Sequence, residues 1–361
     1  MRTFLALLLS WCCGPALALS VAFINPGHAD EQFWRSASEA MQAAARSLGV
    51  ELELLYAERQ PERALALGQE IAARPAGKRP DYVILVNEKG TLVRNARVLG
   101  EAGIRSFAAF SGLLPQERRR WAPRRGLPML LGSLEPDAEQ AGYLTAKALI
   151  EQGRQRAGAQ TPLQLLSIAG DRSTPVSIQR NEGLRRALRE ARSPRPELVE
   201  QLFAEWQRGR AQELALGALQ RHPGLDLVWA GSDQMAFGAM EAAEQLGRQP
   251  GRDLLFAGIN TSREAMQAVL DGRLAALAGG HFMAGAWALL MLHDYHHGYD
   301  FADAGLEQEQ PMFMLFGKAE ARRYLARFGE GMPALDFRPY SRRFSTSPQR
   351  LKVQNLLLGP Q

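Results

Sequence analysis

Asn25, Asn87, Glu88, Ser111, Ser232, Asp233 and Asn260 are hydrogen-bonding side chains that share one setting. Each stands at or just past the end of a short apolar run, and a helical pattern follows at once. The runs are 21–24, 83–86 and 106–110 in the first half and 163–168, 227–230 and 254–259 in the second, with Asp171 just beyond 163–168. Amides do both halves of a hydrogen bond and carboxylates accept, which suits a small polar solute. Parallel α/β sheets bind ligands beyond the carboxyl ends of their strands, so two such sets predict a single cleft between two lobes.

The elements that must hold these tips alternate strand and helix. In the first half strands are expected at 20–25, 51–56, 81–86 and 104–110, with helices at 33–48, 61–73 and 91–102. Gly49 and Gly103 close two of the helices and Pro61 opens one. The second half repeats the scheme with helices at 176–190, 208–220, 235–246 and 263–271 and strands at 160–170, 199–203, 226–230, 254–259 and 274–278. This is the pattern of two doubly wound sheets. Between the halves, 136–152 reads as a helix and not as a further strand of the first sheet. Helix 282–297, an apolar strand 311–316 and a basic helix 318–328 follow, and the chain from 329 onward reads as irregular and basic. No linker separates the halves, so the chain is expected to pass between lobes at three places: Gly132-Ser133, Gly279-Gly280 and Pro311-Met312. The expected lobes are 19–132 plus 282–311, and 133–280 plus 312–361 with the basic tail.

Composition bounds the class. Residues 1–18 start with Arg2, run apolar from Phe4 to Trp11 and end in Ala16-Leu17-Ala18, which reads as a secretory signal, with a mature chain from Leu19 and the periplasm as destination. The run is too short for a membrane span, and the bulk of Trp11 argues against lipid attachment at Cys12 or Cys13. Both cysteines fall in that leader, so the mature chain is expected to have no disulfide and no cysteine metal site. The formal charge is +5, or +4 without Arg2. Its densest cluster, Arg118, Arg119, Arg120, Arg124 and Arg125, is broken by Trp121 and Pro123 and reads, with Pro115 ahead of it, as a solvated loop between two strands or else a docking surface for a partner protein, not a nucleic-acid surface. His293, His296 and His297 share a helix face that would suit a metal, but their place before Gly298 also fits a helix C-terminus, and no metal is expected. No Gly-x-Ser-x-Gly, phosphate loop, Gly-x-Gly-x-x-Gly or His-Glu-x-x-His occurs, so neither an enzyme nor a cofactor is expected.

Several local motifs in order resemble the type I periplasmic binding proteins of the sugar-binding group, similar to ribose and galactose binders. They are Ile24-Asn25-Pro26 with Phe33-Trp34, the run 80–85, Pro136-Asp137 with Gly142, Arg180-Asn181-Glu182-Gly183-Leu184, and Ser232-Asp233-Gln234-Met235-Ala236-Phe237-Gly238-Ala239. The resemblance spans about 21–316. It implies an α/β fold of two doubly wound parallel-sheet lobes joined by a three-segment hinge. It also implies a ligand site drawn from Asn25, Phe33, Trp34, Asn87, Glu88, Ser111, Asp137, Arg180, Ser232, Asp233, Asn260 and His281. Ser111, Gly258-Ile259-Asn260 and Gly279-Gly280-His281 depart from the family pattern, where carboxylates or Gln are usual, so the identity of the sugar does not carry over.

Such a site makes physical sense. A polyol exchanges many water hydrogen bonds for protein ones and buries its CH face on a flat ring. Arg180 would donate two bonds, Asp137 and Asp233 accept, the asparagines do both, and Phe33 or Trp34 supplies the ring. Simpler roles stand beside these: Trp34 packing on the first sheet, Arg180 paired with Glu182 or Glu190, Asp233 capping its helix, His281 packing in the hinge. The expected function is capture of a small polyhydroxylated ligand for an ABC-type importer by a monomeric periplasmic protein. The alternative is a sensor that docks on a membrane receptor for signalling.

Overall fold

The computed structural model describes residues 18–158, 160–350 and 352–359; the expected leader, apart from Ala18, lies outside them. From the start, β1 (Ser20–Asn25), α1 (Gln32–Leu48), β2 (Glu51–Tyr56), α2 (Pro61–Ala72), β3 (Tyr82–Leu85), α3 (Leu92–Glu101), β4 (Arg105–Ala109), α4 (Pro115–Trp121) and β5 (Leu130–Pro136) alternate. Then come α5 (Ala138–Ala157), β6 (Gln164–Ala169), α6 (Pro175–Glu190), β7 (Glu197–Phe203), α7 (Arg208–Arg221), β8 (Leu227–Ala230), α8 (Asp233–Gln245), β9 (Leu255–Ile259), α9 (Arg263–Asp271) and β10 (Leu274–Gly279). The chain ends with α10 (Ala284–His296), β11 (Glu307–Gln310), β12 (Met314–Leu315), α11 (Lys318–Phe328) and α12 (Val353–Leu358).

Two six-stranded sheets result, in the orders β11-β5-β4-β3-β1-β2 and β12-β10-β9-β8-β6-β7. Every pairing is parallel except the antiparallel addition of β12 to β10. The central strands β3 and β8 are buried on both faces, which is why they read as unbroken apolar runs. Strand order reverses between β1 and β3 and again between β6 and β8, so each sheet opens a crevice there at its carboxyl end. One hydrophobic cluster runs from Phe23 and Met41 of the first lobe through Phe282 and Met283 to Phe256 and Met266 of the second, so the apolar core is continuous across the hinge.

Four expectations need correction. Residues 130–136 form β5 inside the first sheet despite Gly132, Ser133 and Glu135, because β4 and β11 flank it and satisfy its backbone; the first crossing therefore follows Pro136 instead of lying at Gly132-Ser133. Arg118, Arg119 and Arg120 lie on a helix, since Pro115 occupies its first turn and the Glu117 carboxylate accepts from the Leu114 N–H. The strand expected over 311–316 divides: β11 precedes it in the first sheet, and only Met314 and Leu315 extend in the second. Finally, the tail is neither irregular throughout nor confined to the second lobe. Its α12 is helical, and Asp336, Phe337 and Ser341 bond to Ser47 of α1 and Asp294 of α10 in the first lobe.

Candidate functional site

The loops beyond the two crevices face each other around a cavity with about 90 Å³ of room for the centres of water-sized spheres, enough for several waters or one small solute. Its first-lobe wall is aromatic. Gly27 makes this feasible, since a Cβ there would collide with the Trp34 indole. Trp34 meets Phe33 and Phe110 edge-on at centroid distances of 4.9 and 5.1 Å. Beside them the turn after β2 holds Glu58 and Arg59 at φ of 54° and 58°, a left-handed pair that turns the Arg59 guanidinium inward. Arg59 donates to Glu31 at 2.9 Å and Glu88 at 2.8 Å and lies 6.0 Å from the Trp34 ring centre.

The second-lobe wall is set by α6 and the loop after β7. Gly170 leaves room for the Trp206 ring, whose Nε1–H donates to Asp171 Oδ2 at 2.9 Å. Arg180 is buried beside it, 5.6 Å from that ring, and donates Nη1–H to the Gly231 carbonyl at 2.6 Å. Its Nη2 meets His281 Nε2 at 2.9 Å. His281 is sandwiched at the hinge between Phe33 and Phe313, at centroid distances of 4.6 and 4.4 Å. Ser232 caps α8 by accepting from the Met235 N–H, and Asn260 donates to Asp233 Oδ1 at 2.9 Å. Across the cleft mouth Lys89 of the first lobe donates to Glu205 of the second at 2.7 Å, so the lobes are closed over the cavity.

Burial shapes the electrostatics. It pulls Arg180 down to about 9, with Asp233 partly offsetting it, so the guanidinium stays charged at neutral pH. Burial and then the Arg180 charge hold the His281 imidazole well below its ordinary value, hence neutral. Burial pushes Glu88 upward against the pull of Arg59, and pushes Asp233 upward against hydrogen bonds from Ser262 and Asn260. For Arg59 burial disfavours the charge, but Glu88 and Glu31 more than offset it and the net shift is upward. Inside this shell Ser111 Oγ, Arg180 Nε and His281 Nδ1 are buried without a hydrogen-bond partner, as is Asp233 Oδ2 behind Asn260. The arrangement can hydrogen-bond a compact solute with hydroxyl or ring oxygens while covering its apolar faces with rings.

Of the twelve residues expected here, Phe33, Trp34, Glu88, Ser111, Arg180, Ser232, Asn260 and His281 come together on the cavity wall. Four do not. Asn25 bonds Ser38 and the Gly27 N–H, and Asn87 bonds the Gly112 carbonyl and Glu117, so both amides build the loops they end. Asp137 caps α5 through the Gln140 N–H, and Asp233 lies behind Asn260 without capping its helix. Arg180 pairs with neither of its sequence neighbours, since Glu182 takes Arg185 and Glu190 takes Tyr143. Sequence reasoning missed Glu31, Arg59, Phe110, Trp206 and Phe313 on the wall. The one signal available was position, for Arg59 and Trp206 follow β2 and β7 as Ser111 follows β4. Among the described residues no group of three His, Cys, Asp or Glu is placed to hold a metal, and His297 Nδ1 meets the His293 carbonyl instead. No described helix is long and apolar enough to cross a membrane.

Comparison with known proteins gives a consistent set of matches. The family model of the periplasmic binding protein domain matches residues 21–299. A crystal structure of a periplasmic sugar-binding protein from Pseudomonas fluorescens is 40% identical and superposes with a TM-score of 0.81, covering 90% of this chain and 94% of that one. The D-apiose import binding protein of Paraburkholderia graminis is 25% identical, over 71% of this chain and 74% of its own length. The ribose import binding protein of Escherichia coli is 23% identical, over 72% and 77%.

Proposed function

The chain belongs to the periplasmic binding protein family, and from that premise we propose that it captures a monosaccharide or similarly compact polyol between its lobes and delivers it to the membrane permease of an ABC-type importer. The observation that carries this reading is the closed interlobe cavity. It combines rings on opposite walls, Phe33 and Trp34 against Trp206, with a buried guanidinium and further unpartnered polar atoms. A monosaccharide has the matching make-up, an apolar CH face and a periphery of oxygens. The relatives named for D-apiose and ribose import support the same class of ligand.

On this reading residues 1–18 direct export and the periplasmic chain begins near Leu19, which N-terminal sequencing of protein recovered from the periplasm checks. The protein works as a monomer whose lobes are joined by crossings after Pro136, at Gly279-Gly280 and between β11 and β12. A thermal-shift screen of the exported chain with D-ribose, D-apiose, D-allose, D-galactose, myo-inositol and glycerol tests the function, because a ligand bound only by the native state raises the melting temperature by mass action. At least one sugar should raise it at micromolar to millimolar concentration. No shift with any of them, alongside a shift with a ligand of another class, overturns the reading.

A further inference from the structure

The least expected feature of the cavity is the chain of contacts through His281. Its ring stacks on Phe33 of the first lobe and on Phe313 of the third crossing, while its Nε2 lies 2.9 Å from Nη2 of Arg180 in the second lobe. A guanidinium has donors only, so Nε2 must be the accepting, unprotonated nitrogen of that contact. A neutral imidazole then carries its one proton on Nδ1, and this Nδ1–H is buried and without a partner. Arg180 is anchored by two neutral acceptors, the Gly231 carbonyl and this imidazole, which leaves its Nε–H unpartnered beside the cavity.

We propose that His281 is a positioning residue for ligand capture: as the Nδ1–H tautomer it fixes the direction of the Arg180 guanidinium and ties that direction to closure of the lobes on the Phe33–His281–Phe313 stack. The imidazole can accept from Arg180 only while it is unprotonated. Burial and the adjacent Arg180 charge both keep it so through the neutral range, and Asp233 is the carboxylate that acts on Arg180. The rings above and below His281 carry no charge.

The test needs no ligand for its first arm, so it stands apart from the reading of the cavity as a sugar site, on which the second arm rests. Long-range proton–nitrogen spectra of the full exported chain should show His281 with Nδ1 protonated, Nε2 bare and no titration from pH 8 to pH 5.5, assigned by loss of that signal in His281→Gln. The Arg180 Nε–H should exchange slowly in wild type and in His281→Gln, whose amide oxygen can accept in place of Nε2. In His281→Phe, which keeps the stack and loses the acceptor, it should exchange at least tenfold faster when each protein is held equally far below its own melting temperature. A proton on Nε2, ordinary titration near pH 6.5, or equal exchange in all three proteins overturns the proposal. In the second arm D-ribose, or whichever of the six screened compounds shifts wild type most, should bind at least tenfold more weakly to His281→Phe than to His281→Gln. Equal binding to all three also overturns it, whereas no binding by wild type counts against the sugar reading and leaves the first arm to decide.

Discussion

Arg180 is the residue on which ligand affinity should depend most. It is buried, stays charged, and has its two fixed hydrogen bonds to a carbonyl and a neutral imidazole instead of a carboxylate. Hydrogen bonds from a charged donor contribute about 1.5–3 kcal/mol, so Arg180→Ala should weaken sugar binding by roughly 10-fold to 100-fold in a calorimetric titration. Affinity equal to wild type would remove Arg180 from the binding surface. His281 makes a separate prediction about stability. Its imidazole is held well below the ordinary value of about 6.5 in the native state. Below pH 6.5 the unfolded chain therefore takes up a proton that the native chain refuses. Its contribution is complete above that pH and shrinks as the pH falls, by about 1.4 kcal/mol per unit. Urea unfolding at pH 7 and pH 5.5 should show wild type losing about 1 kcal/mol more than His281→Gln, and equal losses would mean that the imidazole is not held neutral. At this scale the sequence disclosed which strand tips are polar but not which way they turn. Asn25 and Asn87 look as suitable as Asn260, yet their amides stabilise their own loops. Arg59 reaches the cavity only because two successive residues adopt left-handed backbone angles, which no residue type at Glu58 or Arg59 announces.

The placement of Arg180 is decided by the element that carries it. Helix α6 starts at Pro175 and lies against α5 at a crossing where both helices present glycine. A Cβ on Gly142 would collide with the Arg180 carbonyl, and one on Gly183 with the Glu139 carbonyl. The Arg180-x-x-Gly183 spacing thus has a physical meaning: Gly183 lets α6 seat closely enough on α5 for the side chain one turn earlier to reach Gly231 and His281. Gly183→Ala should lower the melting temperature through about 1–3 kcal/mol of overpacking and also weaken sugar binding, because the helix must shift. Gly209→Ala on α7, where a Cβ meets open space, should be neutral or slightly stabilising. Equal behaviour of the two variants would show that the close crossing is not what matters. Most elements were legible for related reasons, since strands covered on both faces read as apolar runs, α1 ends at Gly49 and α3 stops just before Gly103. The failures were the elements that depart from these patterns. The edge strand β11 is Glu-Gln-Glu-Gln and half exposed, β5 carries polar residues because its neighbours in the sheet supply its bonds, and α4 begins with the proline that seemed to forbid it.

At the scale of the whole molecule the lobes are joined by more than three crossings. Beyond α11 the chain returns to the first lobe, where Asp336 accepts from Ser47, Phe337 is buried, and Ser341 donates to Asp294. It then comes back, placing Val353 and Leu357 next to Gly280 at the second crossing, with the Leu358 carbonyl accepting from Arg323 of α11. These contacts join residues up to 290 apart in sequence, as between Ser47 and Phe337, so no local pattern in 329–361 could have revealed them. A tail attached to both lobes limits how far they separate, and a smaller excursion means a larger share of the chain ready to bind. Phe337→Ala should detach the tail from the first lobe while α11 and α12 stay on the second, at a stability cost of about 3–5 kcal/mol that a melting curve would show. The chain has no cysteine after Cys13, so Arg63→Cys and Arg210→Cys, one exposed site on each lobe, can carry spin labels for distance measurement. With saturating sugar the label distance should shorten and sharpen in both proteins, as rotation about the crossings closes the cleft and Lys89 meets Glu205. Without sugar the distribution should be broader and longer in Phe337→Ala than in the wild-type background, and the affinity lower by the same population factor. Identical distributions would mean that the tail merely covers the hinge, and no shortening on binding would mean that the lobes do not close on their ligand.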